Sequence, residues 1–178
     1  MANTNAPWGL RAITDPSGTT PIPHKYTAAG SIALYPGQIV QISAAGDTIE
    51  AATTTGIAAK RMIGVMSHYL AAATVVRDVW LYDNPEQEYE AQMDAASVTI
   101  GIGLNYAVTS LSAASTTTKQ STAVLDASSG ITTTSYTPAS VVPVKMKRYS
   151  PIVGQNNALA YARVICKLNG NYHVFISD

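Results

Sequence analysis

The densest group of side chains able to do chemistry is acidic and lies in the middle of the chain. It consists of Asp83, Glu86, Glu88, Glu90 and Asp94. Carboxylates that alternate along a strand can bind calcium, face a basic patch on a partner, or act as the acid pair of a glycosidase. Because like charges at neighbouring positions on one face repel each other, a strand tolerates them mainly where water or cations reach them. The pattern therefore favours a solvated or partner-facing strand over a catalytic site.

A basic cluster that could match these carboxylates occurs nearer the C-terminus. Its members are Lys145, Lys147, Arg148, Arg163 and Lys167. Pairing of the two clusters, within one subunit or between subunits, would contribute at most about 1 kcal/mol for each exposed ion pair. Both clusters are therefore candidate contact surfaces.

The other reactive residue types form no recognisable site. The histidines, His24, His68 and His173, have none of the HxH, HxxxH or HExxH spacings of metal sites. The chain has no GxSxG elbow and no Walker sequence, and the glycines of residues 101–103 lack the third glycine of a dinucleotide loop. Cys166 is the only cysteine, which excludes an intrachain disulfide and indicates a buried thiol. We expect no catalytic residue, no metal, no cofactor and no enzyme activity.

Length and composition restrict the class of protein and the partners that it can bind. The chain has 178 residues, which favours a single domain. Lys+Arg 11 balance Asp+Glu 11, so no basic field is available to hold nucleic acid. Hydrophobic residues make up 47%, which excludes a disordered chain. Residues 1–13 lack the features of a secretory signal, and no uncharged apolar run spans a bilayer, so we expect a protein made in a cytoplasm without a membrane partner.

The elements that position the acidic cluster are predicted to be strands. After the turn signal at residues 83–85, polar side chains alternate with Tyr89, Ala91 and Met93. In an extended chain the two sets lie on opposite faces, so we predict a strand with one wet side and one packed side. Further strands are predicted at Ile32–Tyr35, Gln38–Ile42, Ile49–Ala52, Met62–Leu70, Thr74–Tyr82, Val98–Val108, Val141–Tyr149, Leu159–Leu168 and Tyr172–Ile176.

Turn and helix signals complete the picture of an all-β body. Pro36-Gly37 predicts a turn between two strands, and Asn169-Gly170 predicts a hairpin. The Ala-rich residues 51–59 could hold a helical turn, but the triplet Thr53–Thr55 argues against it. The fold class is therefore all-β, either a compact barrel or a sandwich. The Ser/Thr-rich residues 109–138 are predicted to be a surface excursion or short strands that lie on another protein.

Residues 1–30 are predicted to be an extended N-terminal arm that precedes a β-rich domain at 31–178. The arm contains four prolines and three glycines, which block helices and remove hydrogen-bond donors. Its apolar points are Trp8, Leu10 and Ile13. A tryptophan in an extended arm usually packs against another surface, so we expect Trp8 to contact the body of its own chain or a neighbour.

Three blocks of sequence carry a pattern known from one protein family. Residues 1–13 read MANTNAPWGLRAI, residues 36–40 with 63–66 read PGQIV and IGVM, and residues 79–94 read VWLYDNPEQEYEAQMD. These blocks resemble the head decoration, or cement, proteins of tailed bacteriophages, although Trp8 stands where that family usually has Phe. The resemblance implies a β-rich homotrimer on the capsid exterior of the virion that clamps adjacent units of the major capsid protein against genome pressure.

The resemblance and the arm together define a set of expected contacts. We expect the following residues to touch the capsid or a neighbouring subunit: Pro7, Trp8, Leu10, Arg11, Ile13, Glu88 and Glu90. One alternative is a glycan- or receptor-binding β module on a virion or cell surface, because the chain has Tyr 10 against Phe 1. Another is a small hydrolase that uses the carboxylates of residues 86–94.

Overall fold

A computed structural model describes residues 5–14, 18–95, 101–109, 111–131, 143–151 and 160–175. Within these ranges the protein is nearly all β, which confirms the predicted fold class. The strands are β1 (Arg11–Ala12), β2 (His24–Ala28), β3 (Ile39–Ile42), β4 (Ile49–Ala51), β5 (Met62–Met66), β6 (Arg77–Tyr82), β7 (Tyr89–Gln92), β8 (Asn105–Tyr106), β9 (Val108–Thr109), β10 (Ala114–Ser115), β11 (Gln120–Ser121), β12 (Val124–Leu125), β13 (Val144–Tyr149) and β14 (Arg163–Leu168). One short helix, α1 (Thr54–Ala58), and a 3-10 turn at Gly170–Tyr172 accompany them.

A closed five-stranded barrel forms one half of the body. Its strand order is β2-β4-β3-β5-β6, so barrel rather than sandwich describes this part of the fold. The interior is filled by apolar side chains from all five strands and from the bridged residues Leu34 and Leu70. They are Ala28, Leu34, Val40, Ile49, Ile63, Met66, Leu70, Val79 and Leu81.

A five-stranded antiparallel sheet, of order β1-β7-β14-β13-β8, forms the other half. Its inner face and the outside of the barrel share a second apolar core. Strand β5 belongs to both cores, since Ile63 and Met66 face the barrel interior while Met62 and Val65 lie in the second core. Every residue of β5 is buried for this reason. The shared strand joins barrel and sheet into one body.

The N-terminal residues contribute strands to both halves. Residues 5–14 run along the body, and β1 pairs with β7 through Arg11 opposite Glu90. Residues 24–28, which we predicted to lie in the arm, instead form barrel strand β2 and pair with β6 along their whole length. This part of the segment is therefore integral to the body, because alternate residues of β2 fill the barrel.

Helix α1 forms where the sequence argued against a helix. Thr53 is its N-cap, and the Thr53 hydroxyl accepts a hydrogen bond from the Gly56 N–H at 3.0 Å. The triplet that disfavours a helix interior therefore starts the helix, because Thr is a preferred N-cap residue. The prediction against a helix here was wrong.

The predicted hairpin at Asn169-Gly170 is also wrong. The Asn169 side chain accepts from the Asn171 N–H at 3.2 Å and caps the 3-10 turn, so the chain does not fold back as a two-residue hairpin. Strand β14 pairs instead with β13 and β7. Within the described part of residues 172–176, only a single bridge, from His173 to Met62, replaces the predicted strand.

The Ser/Thr-rich segment folds onto its own chain where the structure describes it. Strand β9 pairs with β12, and β10 pairs with β11, as two short antiparallel ribbons. Several predicted residues lie outside the described ranges: strand residues 98–100, 141–142, 159 and 176, residues 1–4 and 15–17 of the arm, and residues 110 and 132–138 of the Ser/Thr-rich segment.

Candidate functional site

The polar side chains of β7 and of Glu88, the residue before it, lie on the outer face of the five-stranded sheet, where we expected water to reach them. They are buried instead: Glu88 is 8% exposed and Glu90 is 3% exposed. The expectation of a wet strand face was therefore wrong. The opposite face is as predicted, since Tyr89 and Met93 are fully buried in the second core.

Partners that are distant in sequence explain this burial. The Arg148 guanidinium donates two hydrogen bonds to the Glu88 carboxylate, at 2.8 and 2.6 Å. Glu90 accepts from the Ser150 hydroxyl at 2.5 Å and forms an ion pair with Arg11. A buried carboxylate is tolerated when it is paired and hydrogen-bonded. Both carboxylates are thus occupied within their own chain.

The third carboxylate of this face, Glu86, remains at the surface. The Lys167 ammonium donates to both of its oxygens at 2.8 Å, while 73% of the Glu86 side chain is exposed. This hydrogen bond, with the nearby charges of Lys167 and Lys147, lowers the pKa of the Glu86 carboxyl. The acidic and basic clusters of the sequence therefore pair within one subunit.

The N-terminal segment, residues 5–14, is held against the body by backbone hydrogen bonds. The Leu10 N–H donates to the Gly37 carbonyl oxygen at 2.9 Å, and the Ile13 N–H donates to the Glu88 carbonyl oxygen at 3.1 Å. The Leu10 side chain is only 1% exposed and belongs to the second core. Leu10 therefore contacts residues of its own chain.

Two glycines permit this close approach. Gly9 and Gly37 have φ of 73° and 81°, in the left-handed region that glycine adopts readily. A Cβ at Gly9 would lie 2.4 Å from the Gly37 carbonyl oxygen, and a Cβ at Gly37 would lie 2.4 Å from the Trp8 carbonyl oxygen. No side chain fits between the two backbones. The segment can dock here only with glycine at both positions.

Trp8 lies over the cations of the sheet. Its ring centre is 4.2 Å from the guanidinium carbon of Arg163 and 5.5 Å from that of Arg11. These distances fit cation–π contacts. The indole is half-buried, so part of it remains available at the surface.

These side chains form one surface, which we call the charged face. It comprises Arg11, Glu86, Glu88, Glu90, Lys145, Lys147, Arg148, Arg163 and Lys167, with Trp8 above it. Four of the predicted contact residues lie here: Trp8, Arg11, Glu88 and Glu90. Pro7 is half-buried beside Trp8, and Ile13 is half-buried where its N–H bonds to Glu88. Their contact with another protein stays a prediction.

The three family-like blocks of sequence meet beside this face. The first block docks on the second through Leu10 and Gly37, and the Gly37 N–H donates to the Met66 carbonyl oxygen at 2.9 Å. The first block also pairs with the third through Arg11 and Glu90. Sequence reasoning did not find Ser150 or the role of Gly37, because neither residue stands in a pattern that points to a distant partner.

The remaining reactive groups are held by their own neighbours. Asp83 lies 2.6 Å from the His24 imidazole and accepts from the Tyr26 hydroxyl at 2.5 Å. Burial raises the pKa of the Cys166 thiol, which makes this buried cysteine unreactive and agrees with the sequence prediction. In the described ranges, no group of three or more His, Cys, Asp or Glu residues is placed to hold a metal ion. Nor does the described part of the chain contain a helix long and apolar enough to cross a membrane.

Comparison with known proteins found no relative. No protein-family model matches the chain, and the searches of curated proteins and of solved structures also found no match.

Proposed function

We propose that this protein is a structural component of a phage virion that binds the outside of the capsid as a homotrimer and cements adjacent capsomers. One observation carries the proposal. The three sequence blocks that resemble head decoration proteins lie far apart in the chain, yet they meet at the docked N-terminal segment. Three blocks that meet on one surface are consistent with a single role, the binding of another protein.

The architecture supports a role in contact rather than in chemistry. The carboxylates that raised the question of catalysis are engaged by Arg148, Ser150, Arg11 and Lys167. A glycosidase needs one carboxylic acid and one free carboxylate that face a substrate, whereas Glu88 and Glu90 face cations of their own chain. In a trimer, each contact with the lattice repeats by symmetry, so modest contacts of one subunit add up to strong binding.

The direct test is the composition of virions. We expect virions of the phage whose genome encodes this chain to contain it at a fixed ratio to their shell protein, in multiples of three per lattice position. Quantitative mass spectrometry of purified particles measures this ratio. Absence of the chain from the particles would overturn the proposal.

The role of the N-terminal segment can be tested with a point variant. Because deletion of residues 2–13 would remove Leu10 from the core, Trp8→Ala is the better choice. We expect Trp8→Ala to weaken co-sedimentation with expanded, undecorated shells by about tenfold or more, since aromatic anchors dominate many interfaces.

The matched control for this variant is Trp80→Ala on the barrel, where the indole is exposed and packs against His68. Thermal unfolding shows whether each variant is folded. Equal binding by Trp8→Ala and the wild type would exclude Trp8 as a contact. If the wild type itself fails to bind, the proposed function is wrong.

A cleft beside the docked segment favours a second candidate function, the binding of a glycan. It has a volume of about 290 Å³ and mixes aromatic, aliphatic and polar side chains, as ligand sites commonly do. Its lining includes Trp8, Arg11, Ser67, Tyr82 and Gln120. A glycan array measures this activity. Micromolar binding that Gln120→Ala abolishes would support it, and an array without binding would exclude it for the sugars tested.

A further inference from the structure

Most of the positive charge of this protein is gathered on one side. Six of the eleven Lys and Arg residues, but three of the eleven acidic residues, belong to the charged face. The face therefore carries a surplus of three positive charges in a chain of zero net charge. The rest of the molecule carries the matching negative surplus.

The exposed part of this surplus lies on the neighbouring strands β13 and β14, at the edge of the charged face rather than of the sheet, whose last strand is β8. Val144 and Met146 are in the core, so Lys145 and Lys147, which alternate with them along β13, point outward and are exposed. Lys145 stands directly opposite Lys167 on β14. Like charges in opposed positions repel each other. Lys167 already has Glu86 as its partner, so an anionic partner protein would supply the missing counter-charge for Lys145.

The carboxylates of the charged face pair with cations other than Lys145 and Lys147. Glu88 holds Arg148, and Glu86 holds Lys167. Among the residues that the structure describes, no carboxylate lies within 4.0 Å of the ammonium group of Lys145 or Lys147. Lys147 contributes only a longer-range attraction to Glu86. These two lysines are therefore available to a partner.

We propose that the edge formed by Lys145, Lys147, Arg148 and Lys167 docks onto an acidic protein surface. This inference rests on the proposed function and specifies the chemistry of the shell surface that receives the protein. The edge is continuous with Arg163 and Trp8 across β14, so one contact would include both the cations and the aromatic anchor.

A protein partner fits these charges better than nucleic acid does. Tight binding to a phosphate backbone commonly uses about six to ten phosphate contacts, whereas this edge offers four cations, two of which already hold a carboxylate. The negative surplus on the rest of the chain also opposes a polyanion. Charges at the rim of a protein interface instead act by steering association and by selecting the partner.

The test is a double charge reversal, Lys145→Glu with Lys147→Glu, in the full chain. The control is Lys25→Glu with Lys119→Glu, which changes the net charge equally at exposed positions outside the edge. Because Lys25 pairs with Asp78 and Lys119 lies over the Tyr69 ring, thermal unfolding checks that both double variants are folded. Co-sedimentation with expanded, undecorated shells is measured from low to high NaCl concentration. We expect wild-type binding to weaken as salt rises, the edge variant to bind about tenfold or more weakly at low salt, and the control to bind like the wild type.

The outcomes separate this inference from the proposed function. Wild-type binding together with unchanged binding of the edge variant overturns the acidic docking surface and leaves the decoration role in place. A wild type that does not bind shells overturns both. Fluorescence anisotropy with a duplex DNA probe tests nucleic acid as the alternative partner. If DNA binds as tightly as shells do, and the edge variant abolishes it, the assignment of a protein partner is wrong.

Discussion

At the scale of single residues, two ion pairs of the charged face differ in how deeply their carboxylates are buried. Glu88 is nearly buried, while 37% of the Arg148 side chain is exposed. Glu86 is mostly exposed beside Lys167. Loss of a cation should therefore matter at Glu88 and hardly matter at Glu86, because only the buried carboxylate would lose the group that offsets its desolvation.

We expect Arg148→Met to lower the free energy of unfolding by about 2 kcal/mol. Loss of one partner of a fully buried pair costs about 3–5 kcal/mol, and the exposure of Arg148 reduces that figure. Lys167→Met serves as the control and should cost less than about 1 kcal/mol, as exposed pairs do. Urea denaturation measures both values. Equal losses would mean that the burial of Glu88 does not set the energy of its pair.

At the scale of elements, the sequence predicted those features that depend on local pattern. The apolar face of β7 followed from its alternation, and β3, β4, β13 and β14 each lie within a predicted strand. The burial of the polar face could not be predicted, because it depends on Arg148 and Arg11, which are 60 and 79 residues away from their carboxylates. Helix α1 was missed because a cap and a helix interior have opposite preferences for Thr.

The docking of the N-terminal segment is an element-scale property that Gly37 controls. We expect Gly37→Ala to cost about 2 kcal/mol or more of stability, since the new Cβ would strike the Trp8 carbonyl oxygen in addition to the strain of a positive φ. Thermal unfolding measures the loss, and faster proteolysis after Arg11 would report release of the segment.

Gly46→Ala is the control for this substitution. Gly46 has a φ of 83°, but a Cβ there would meet no atom within 4 Å. It should therefore cost only the conformational strain, about 1 kcal/mol. If the two variants lose the same stability, the contact between Gly37 and Trp8 does not hold the segment.

At the scale of the whole molecule, barrel and sheet should unfold together. Strands β3 and β5 contribute side chains to both cores, so neither half retains its packing without the other. His173 lies at this junction, where it bridges to Met62 and is 1% exposed. A charge that appears on His173 would therefore affect the stability of the whole fold.

Stability should fall on mild acidification for this reason. Burial lowers the pKa of His173 below its ordinary value, and burial also lowers that of the half-buried His68. Below about pH 6.5 the unfolded chain takes up protons that the folded protein resists, so these groups contribute full stability above that pH and lose it as the pH falls.

Urea denaturation at about pH 7.5, 6.5 and 5.5 measures how steeply the free energy of unfolding changes with pH. One buried histidine contributes up to about 1.4 kcal/mol per pH unit to this slope. His173→Gln should flatten most of the slope, whatever its effect on stability at neutral pH. His68→Gln should flatten it less, because His68 packs against the exposed Trp80 rather than in a core. A slope that is unchanged in His173→Gln would show that the junction of the two cores does not control the acid sensitivity of this protein.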